Sequence, residues 1–564
     1  LTKSYKQVNS ISGGVGRMKL FRLVIPKFPY FNVYSRIKMP PRGAVGVATT
    51  VTSVEGFKVE IIDENNFTGP LDHGLIQKGR PADVVGLYGG LTSTIPRLYE
   101  VASVYQGLGV PTIAGGNHIN ACAGEALSSG VDVAVMGEGE HTLPEVVRAI
   151  SSGKELSTVS GISFKKGSKI VYTQRRAPIQ DLDRLPYPDF NLIRDQKTRI
   201  TLIPLGRTRG CNFVCEFCAV SQHLGHTRSS SPGYVMEEIV RSAENGYKNF
   251  FVTDDNFAQE RDSTAELCKM ITEYKRKTGQ RLHFAVQVRA DVARDEELLE
   301  LMREAGVELL CIGYESPIEE DLKNMKKGLN LKKLDEYTQT LKRHGFYIHG
   351  MFILGYPTFK DSKCKLNMSM AERVERFWQF IKRNDIDTVQ IVKPVPLPGT
   401  GLEKKLKEEN RLYPISVVNY NKYDGNWLCF EPDSDIDPRD FMSQTEGIVE
   451  RFYNLWMFPR LLYQVPLYPL EVGIRFLGKF FGGLLRGSRM PLGTRLKKSL
   501  AHARLQSWRK FRNLRLRLGG RIILEKWRQD FAREDFFGTL EKARVELKKT
   551  AASREVTEVV KCAD

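Results

Sequence analysis

The chain has 564 residues, of which 41% are hydrophobic and 27% charged, and its formal net charge is +18. This composition is ordinary for a soluble globular protein and excludes a mainly disordered, collagen-like or polytopic membrane protein, while the length suggests two to four domains. Since no run of about 18 uninterrupted apolar residues occurs, we expect no membrane-spanning helix.

Residues 1–18 are interpreted as a leader or a disordered segment. They lack the order of charged and then apolar residues that marks a secretory signal peptide. The nine cysteines of the chain are too few for a disulfide scaffold. Together these features favour a cytoplasmic protein.

Residues 19–155 alternate between strand and helix patterns, which predicts an α/β domain with a parallel sheet covered by helices. Ligands of such sheets lie beyond the carboxyl ends of the strands. A single glycine pair there would be an ordinary turn, but three strands in succession end in glycine-rich segments, and we interpret these as a candidate site. The segments are Gly89-Gly90, Gly115-Gly116-Asn117-His118 and Gly137-Glu138-Gly139-Glu140.

Residues 156–198 read as a linker that contains a hairpin around Lys166-Gly167 and a stretch with three prolines. In residues 199–402 the alternation of strand and helix resumes through six units. Six consecutive βα units predict a closed or partly closed barrel, with functional groups at the carboxyl ends of its strands.

Three cysteines, Cys211, Cys215 and Cys218, lie within eight residues directly after the first predicted barrel strand. Clustered thiolates select soft metals, meaning zinc or an iron–sulfur cluster. A structural zinc ion needs a fourth ligand, which His223 or His226 could supply. Three thiolates on a four-iron cluster would instead leave one iron open to a substrate, and the position of the loop favours this second interpretation.

The spacing Cys211-x3-Cys215-x2-Cys218 resembles the signature of the radical S-adenosylmethionine (SAM) enzymes. The resemblance implies a 4Fe-4S cluster whose open iron binds SAM. It also implies that the polar ends of the following strands contact SAM, and that Asp254-Asp255-Asn256 matches the motif that holds the methionine amino group. The SAM-contacting residues expected on this basis are Asp254, Asp255, Asn256, Gln287, Arg289, Glu315 and Ser316.

The glycine-rich strand ends of residues 19–155 resemble the cobalamin-binding domain that precedes the barrel in cobalamin-dependent radical SAM enzymes. The implied cobalamin contacts are Gly89, Gly90, Gly115, Gly116, Asn117, His118, Gly137, Glu138 and Gly139. The D-x-H-x-x-G motif that supplies a histidine to cobalt is absent, because Asp72-His73-Gly74 has the wrong spacing. We therefore expect the lower face of cobalt to be open or covered by a residue from Lys27–Pro41.

The resemblance implies a Rossmann-like cobalamin-binding domain (19–155), a partial (β/α)6 radical SAM barrel (199–402) and a mostly helical C-terminal region. It also implies that a carbon radical, formed through a 5′-deoxyadenosyl radical, takes a methyl group from methylcobalamin on a small-molecule or lipid substrate. An external electron donor of the flavodoxin or ferredoxin type would be a partner. Two alternatives stay open: ring closure or carbon–carbon coupling without methyl transfer, and a non-catalytic cobalamin-binding sensor or carrier.

Residues 403–564 form a basic C-terminal region. Between Arg451 and Asp564 there are 25 Lys and Arg but 10 Asp and Glu, so most of the net charge lies here. Gly473–Gly487 places apolar residues at helical spacing beside Arg475, Lys479 and Arg486. Three interpretations remain: a helical cap over the barrel, a segment that binds a membrane surface, which would place the protein at the membrane periphery, and, least favoured, a nucleic-acid contact.

Overall fold

The computed structural model describes residues 17–32, 35, 37–196, 200–362, 364, 366–454, 477 and 514–561, with side chains up to residue 550. The helix expected over Gly473–Gly487 lies outside these residues, apart from Leu477. No helix in the described part of the chain is both long and apolar enough to cross a membrane.

The first domain is built on a seven-stranded sheet whose strand order is β2-β1-β3-β4-β5-β6-β7. The first five strands are parallel, as predicted. The hairpin β6–β7 adds two antiparallel strands beside β5, so the sheet extends beyond the boundary expected at residue 155. The strands are β1 Lys19–Ile25, β2 Phe57–Asp63, β3 Val84–Tyr88, β4 Thr112–Gly115, β5 Val133–Val135, β6 Ile162–Lys166 and β7 Lys169–Tyr172.

Helices cover both faces of this sheet, because apolar side chains leave β1 on alternate sides: Phe21 and Leu23 face one hydrophobic core and Val24 the other. The helices of the domain are α1 Arg42–Thr50, α2 His73–Gly79, α3 Ile95–Gly107, α4 Asn117–Ala121, α5 Ala123–Ser128 and α6 Gly139–Ser152. The core on one face contains α1 and α6, and the core on the other contains α3, α4 and α5.

The second domain is a six-stranded parallel sheet in the order β8-β11-β12-β13-β14-β15, and no ladder joins β15 to β8 among the described residues. The predicted barrel is therefore open on one side. A short antiparallel pair, β9 Thr208–Arg209 with β10 Arg228–Ser229, follows its first strand. The barrel strands are β8 Ile203–Leu205, β11 Asn249–Val252, β12 His283–Val288, β13 Val307–Glu315, β14 Tyr347–Ile353 and β15 Thr388–Val392.

The barrel helices lie between these strands, and local capping sets where several of them begin. Asp295 accepts a hydrogen bond from the Leu298 N–H at the start of α10, and Ser369 with Glu372 forms a capping box at the start of α13. The helices are α7 Ala219–Leu224, α8 Pro232–Glu244, α9 Arg261–Thr278, α10 Glu296–Ala305, α11 Glu319–Asn324, α12 Leu331–Arg343 and α13 Met370–Arg383.

The C-terminal region packs against the open side of the barrel. Its described helices are α14 Gly401–Glu408, α15 Pro438–Phe452, α16 over 514–532 and α17 Phe536–Lys561. Trp427 stacks on Phe531 and meets Trp527 and Phe536 edge-on or tilted. All four residues belong to or pack against the core that also contains the barrel strands, so the described C-terminal helices are an integral part of the fold.

Candidate functional site

The cysteine loop, residues 210–218, follows β8 and β9, and the pairing of β9 with β10 holds the two ends of the surrounding segment together. At its start Gly210 has a φ of +84°, and a side chain there would lie 2.6 Å from the carbonyl oxygens of Gly225 and His226. The Cys211 N–H donates to the Gly225 carbonyl at 3.1 Å. The base of the loop therefore has a defined conformation that requires glycine at this position.

The donor set of this loop fits an iron–sulfur cluster better than a single metal ion. The three sulfur atoms of Cys211, Cys215 and Cys218 do not all lie within 4.8 Å of one another, whereas thiolates on one tetrahedral zinc ion are about 3.8 Å apart. Burial raises the pKa of Cys215 and raises that of Cys218 to about 11. Iron binding at these thiols must therefore release protons.

The histidines considered as zinc ligands have other contacts. His223 accepts a hydrogen bond from the Asn120 amide at Nδ1 (3.2 Å) and donates from Nε2 to the Pro398 carbonyl (3.3 Å). His226 packs its backbone carbonyl against Gly210. His223 thus links the first domain to the end of the barrel, and among the described residues neither His223 nor His226 forms a group of three ligands within 4.8 Å with the loop cysteines.

The two acidic residues after β11 have different environments. Asp254 is buried and accepts hydrogen bonds from the backbone N–H groups of Arg207 (2.7 Å) and Thr208 (2.9 Å). Asp255 is exposed, although protein surrounds much of its carboxylate. This partial desolvation, with the neighbouring Asp254 carboxylate, raises the pKa of Asp255 to about 6. Asp254 therefore supports the segment before the cysteine loop, and Asp255, which precedes the buried Asn256, is the carboxylate available to a ligand.

The polar residues that end β12 contact protein. Arg289 donates to the carbonyl oxygens of Lys327 (3.0 Å) and Gly328 (3.1 Å), and its guanidinium carbon lies 3.7 Å from the ring centroid of Phe213 in the cysteine loop. The Gln287 amide donates to the Asp254 carbonyl at 3.2 Å. Both side chains thus support the groups around the cysteine loop.

At the end of β13, Glu315 has a left-handed φ of +60° and accepts a hydrogen bond from Lys327 Nζ at 2.7 Å. Ser316 is fully buried and donates to Asp321 at 2.7 Å. The positive charge of Lys327 lowers the pKa of Cys215, although burial dominates there. Sequence reasoning missed Lys327 because it lies in a turn after α11 that no motif marks.

The first two glycine-rich strand ends of the first domain interlock. The Gly89 N–H donates to the Gly115 carbonyl at 2.7 Å, and the His118 N–H donates to the Gly89 carbonyl at 3.1 Å. Gly116 has a φ of +118°, and a side chain there would lie 2.6 Å from the backbone of Gly89 and Gly90. The arrangement leaves bare backbone at this edge of the sheet, which allows the close approach of a large flat ligand.

The third strand end, Gly137-Glu138-Gly139, joins the two domains. Glu138 pairs with Arg209 (2.7 Å) and Arg228 (2.9 Å), which flank the cysteine loop on β9 and β10, and Glu140 pairs with Arg209 at 2.6 Å. Since its carboxylate is already paired twice, Glu138 holds the sheet edge against the barrel.

The histidines near the first sheet are also engaged by protein. His73 is buried, and its ring nitrogens lie 3.1 Å from the Tyr105 hydroxyl and 3.2 Å from Glu64. His118 is buried, with Nδ1 3.4 Å from the Thr92 hydroxyl and Nε2 3.6 Å from Glu125. Both ring nitrogens of His73 are therefore engaged by protein groups.

A small cavity of about 300 Å³ lies between the first sheet and helices α1 and α6. It reaches the glycine-rich strand ends and the barrel residues before the cysteine loop. Its lining includes Val47, Gly86, Gly116, Asn117, Leu143 and Thr208. Sequence reasoning identified the strand-end glycines of this lining but not Gly86 or the helical walls, because Val47 and Leu143 belong to helices that meet only in the folded domain.

A large cavity of about 650 Å³ lies between the first domain, the barrel and the C-terminal helices. Its wall contains Gly90 and Asn117 from the first sheet, Cys218 from the cysteine loop and Trp527 from α16. Gly90 and Asn117 also line the small cavity. The two candidate cofactor sites of the sequence thus border one shared space.

Comparisons with known proteins agree with this arrangement. The Radical SAM superfamily matches residues 205–371, and the B12 binding domain matches residues 33–147. An uncharacterized methyltransferase of Pyrococcus horikoshii is 28% identical over 420 residues, which cover 72% of this chain and 87% of that protein.

Two further proteins extend the comparison. An anaerobic magnesium-protoporphyrin IX monomethyl ester cyclase of Rubrivivax gelatinosus is 25% identical over 64% of this chain and 65% of its own length. The structure of OxsB, a cobalamin-dependent SAM radical enzyme with aqua-cobalamin and SAM bound, aligns with a TM-score of 0.60 and 14% identity over 91% of this chain and 84% of that chain. This last likeness is one of fold.

Proposed function

Because this chain belongs to the cobalamin-dependent radical SAM enzymes, whose cofactors are a 4Fe-4S cluster, SAM and cobalamin, we propose that it methylates an unactivated carbon of a hydrophobic small molecule. One observation carries the proposal: the large cavity is bordered both by Cys218 and by Gly90 and Asn117. When bound, the cofactors supply a radical that removes a hydrogen atom and a methyl group that replaces it.

The residues of this chain have three tasks in the proposal. Cys211, Cys215 and Cys218 hold the cluster, and Asp255 accepts a hydrogen bond from the amino group of SAM. The bare backbone of the glycine-rich strand ends supports the corrinoid. The walls of the large cavity orient the substrate and exclude water from the reacting carbon.

The first test is the formation of 5′-deoxyadenosine. The triple substitution C211A/C215A/C218A removes every thiol of the loop, so we expect deoxyadenosine production to fall below about 1% of wild type. This corresponds to an activation barrier that is higher by at least about 2.7 kcal/mol. The matched control is C268A, which removes a buried cysteine of α9. The measurement is an anaerobic assay with a low-potential reductant, in which deoxyadenosine is quantified by mass spectrometry. Persistent production in the triple variant would contradict the proposal.

The product distinguishes methylation from the second candidate function, ring closure, which the cyclase among the relatives supports. Methyl transfer adds about 14 Da and carries label from methyl-labelled SAM into the product, whereas ring closure does neither. Incubating the reconstituted protein with labelled SAM and a lipid extract would separate the two. We also propose a flavodoxin or ferredoxin as the electron donor in the cell.

A further inference from the structure

Lys393 contributes a buried ammonium group to the large cavity. It follows β15 and is 2% exposed. Its backbone N–H donates to the Gly425 carbonyl at 2.8 Å, and its Nζ donates to the Asn426 carbonyl at 2.9 Å. Asp424 and Glu446 lie near enough to favour its charge, but among the described residues the one hydrogen bond of Nζ is to the Asn426 carbonyl. The ammonium group therefore has protons for which the described protein offers no acceptor.

Two further residues in the wall of the same cavity carry buried donor atoms that lack partners. Tyr423 is 4% exposed and Trp527 is 6% exposed. Neither the Tyr423 hydroxyl nor the Trp527 indole N–H has a hydrogen-bond partner in the described part of the chain. Buried polar groups are almost always paired in native proteins, so these unpaired donors indicate a ligand that brings acceptors.

The acidic residues beside Lys393 do not accept hydrogen bonds from its ammonium group in the described part of the chain. Asp424 accepts hydrogen bonds from the Asn426 backbone N–H (2.8 Å) and side-chain amide (3.1 Å). Glu446 of α15 lines the cavity and favours the charge of Lys393 from a distance. Among the described residues, this end of the cavity therefore holds the ammonium group of Lys393 with unused protons and one carboxylate, Glu446, without a donor.

The remainder of the large cavity is mainly apolar. Its lining includes Phe28, Phe31, Leu91, Phe217, Ile391 and Leu524. Such a surface favours a hydrophobic ligand, and a few placed polar groups then set its orientation. The unpaired donors lie in the wall formed by β15, residues 423–426 and α16, whereas Cys218 and Gly90 lie in other walls.

We propose that the large cavity binds a largely apolar molecule whose carbonyl or carboxylate oxygens accept hydrogen bonds from Lys393, Tyr423 and Trp527. This inference rests on the proposed function and names its substrate class. The oxygen-bearing end sits against Lys393, so it determines which carbon of the apolar part faces the two cofactor sites. Lys393 is a positioning residue in this scheme.

The test uses equilibrium binding to the full chain, without SAM or reductant. The probes are dodecanoate, methyl dodecanoate and dodecylamine, each below its micellar concentration and measured by isothermal titration calorimetry. We expect both acceptor probes to bind at least 10-fold more tightly than dodecylamine. If only dodecanoate binds tightly, the acceptor is a carboxylate; if only methyl dodecanoate does, it is a neutral carbonyl; if both do, the site takes either. Binding of dodecylamine as tight as or tighter than that of both acceptor probes overturns the proposal.

Substitutions assign the effect to Lys393. K393M should weaken binding of the preferred acceptor probe at least 10-fold and leave dodecylamine binding unchanged, while K404M, at an exposed lysine of α14, should change neither. Y423F, which removes only the unpaired hydroxyl, provides a second variant if K393M folds poorly. Unchanged binding in both K393M and Y423F would overturn the inference. Deoxyadenosine formation is measured separately, so failure of this inference is distinguishable from failure of the proposed function.

Discussion

The ammonium groups of two buried lysines, Lys393 and Lys422, differ in the number of partners that the protein gives them. Lys422 pairs with Glu534 at 2.9 Å, donates to the Tyr30 hydroxyl, and lies 4.2 Å from the ring centroid of Trp427. Lys393 has one hydrogen bond, to a backbone carbonyl. A buried charge without partners is unfavourable for folding, which fits a residue retained for ligand binding.

This contrast predicts different effects on stability. We expect K422M to lower the free energy of unfolding by about 1–2 kcal/mol, because it removes the ion pair with Glu534, which is partly exposed and keeps its hydrogen bond from the Tyr30 hydroxyl. K393M should change it by less than about 1 kcal/mol, since losing the desolvation penalty of the ammonium group offsets the loss of one hydrogen bond. Urea denaturation of both variants at pH 7 measures the difference. Equal destabilisation would show that Lys393 is as well paired as Lys422.

The pH dependence of stability gives a second measure of the same difference. Burial lowers the pKa of Lys393 to about 8, below its ordinary value of 10.5, although Asp424, Glu446 and Cys429 face it and favour its charge. Between about pH 8 and 10.5 the unfolded chain binds more protons than the folded one, so wild-type stability should rise relative to K393M as the pH increases. Below about pH 8 the ammonium group is charged in both states, so the full free-energy cost of burying it is present. A relative fall in that window would contradict the assignment.

Strand β15 is the element that leaves the barrel open, because one of its edges has no neighbouring strand among the described residues. Tyr453, which follows α15, takes the place of a strand: its hydroxyl donates to the Val389 carbonyl at 2.7 Å and accepts from the Val389 N–H at 3.1 Å. Arg517 of α16 donates to the carbonyls of Ile386 and Asp387 at 3.3 and 3.2 Å. The C-terminal helices thus satisfy an edge that would otherwise be open to pairing with other chains.

We expect Y453F to lower the free energy of unfolding by about 1–3 kcal/mol, because it leaves a buried N–H and a buried C=O of β15 unpaired. Exchange of the Val389 amide hydrogen should also become faster. The control is Y356F, since the Tyr356 hydroxyl is buried without a partner in the described part of the chain, and its loss should change stability by less than about 0.5 kcal/mol. Similar losses in the two variants would argue against a role of Tyr453 at the strand edge.

Across the molecule as a whole, the C-terminal region combines two properties. Its described helices complete the core through Trp527, Phe536 and Leu540, which agrees with the interpretation as a cap over the barrel. The basic segment with Arg475, Lys479 and Arg486 lies outside the described residues, and membrane-surface binding there stays a prediction. Since the described C-terminal helices are part of the core, membrane binding is tested with substitutions in the intact 564-residue chain and not by truncation.

We expect the full chain to sediment with anionic phospholipid vesicles at low salt, less so at high salt, and weakly with neutral vesicles. R475Q/K479Q/R486Q should weaken binding by about 3 kcal/mol, roughly 100-fold, at about 1 kcal/mol for each basic residue. K154Q/K165Q/K169Q, which removes the same charge from exposed lysines of the first domain, is the control. Salt-independent binding, or equal loss in both variants, would contradict a specific membrane contact.

Local patterns in the amino-acid sequence were enough to predict the order of strands and helices, the parallel sheets and the positions of the glycine-rich and cysteine loops at the strand ends. Apolar periodicity is a local property, and the carboxyl ends of parallel strands meet at one edge of a sheet. Residues as distant as Gly90 and Gly116 could therefore be grouped from the chain order alone. The spacing of Cys211, Cys215 and Cys218 likewise carries its chemistry within eight residues.

Which polar side chains remain free for a ligand depends instead on the assembled fold. Asp254 and Asp255 are neighbours of the same type, yet one supports backbone and the other faces open space. Glu138 is occupied by Arg209 and Arg228, which lie about 70 and 90 positions away in the chain. The reason is physical: a charged group is neutralised by whichever partner folding brings within hydrogen-bond distance, and local periodicity does not encode that partner. For the same reason, the single hydrogen bond of the buried Lys393 ammonium group becomes visible only in the assembled fold.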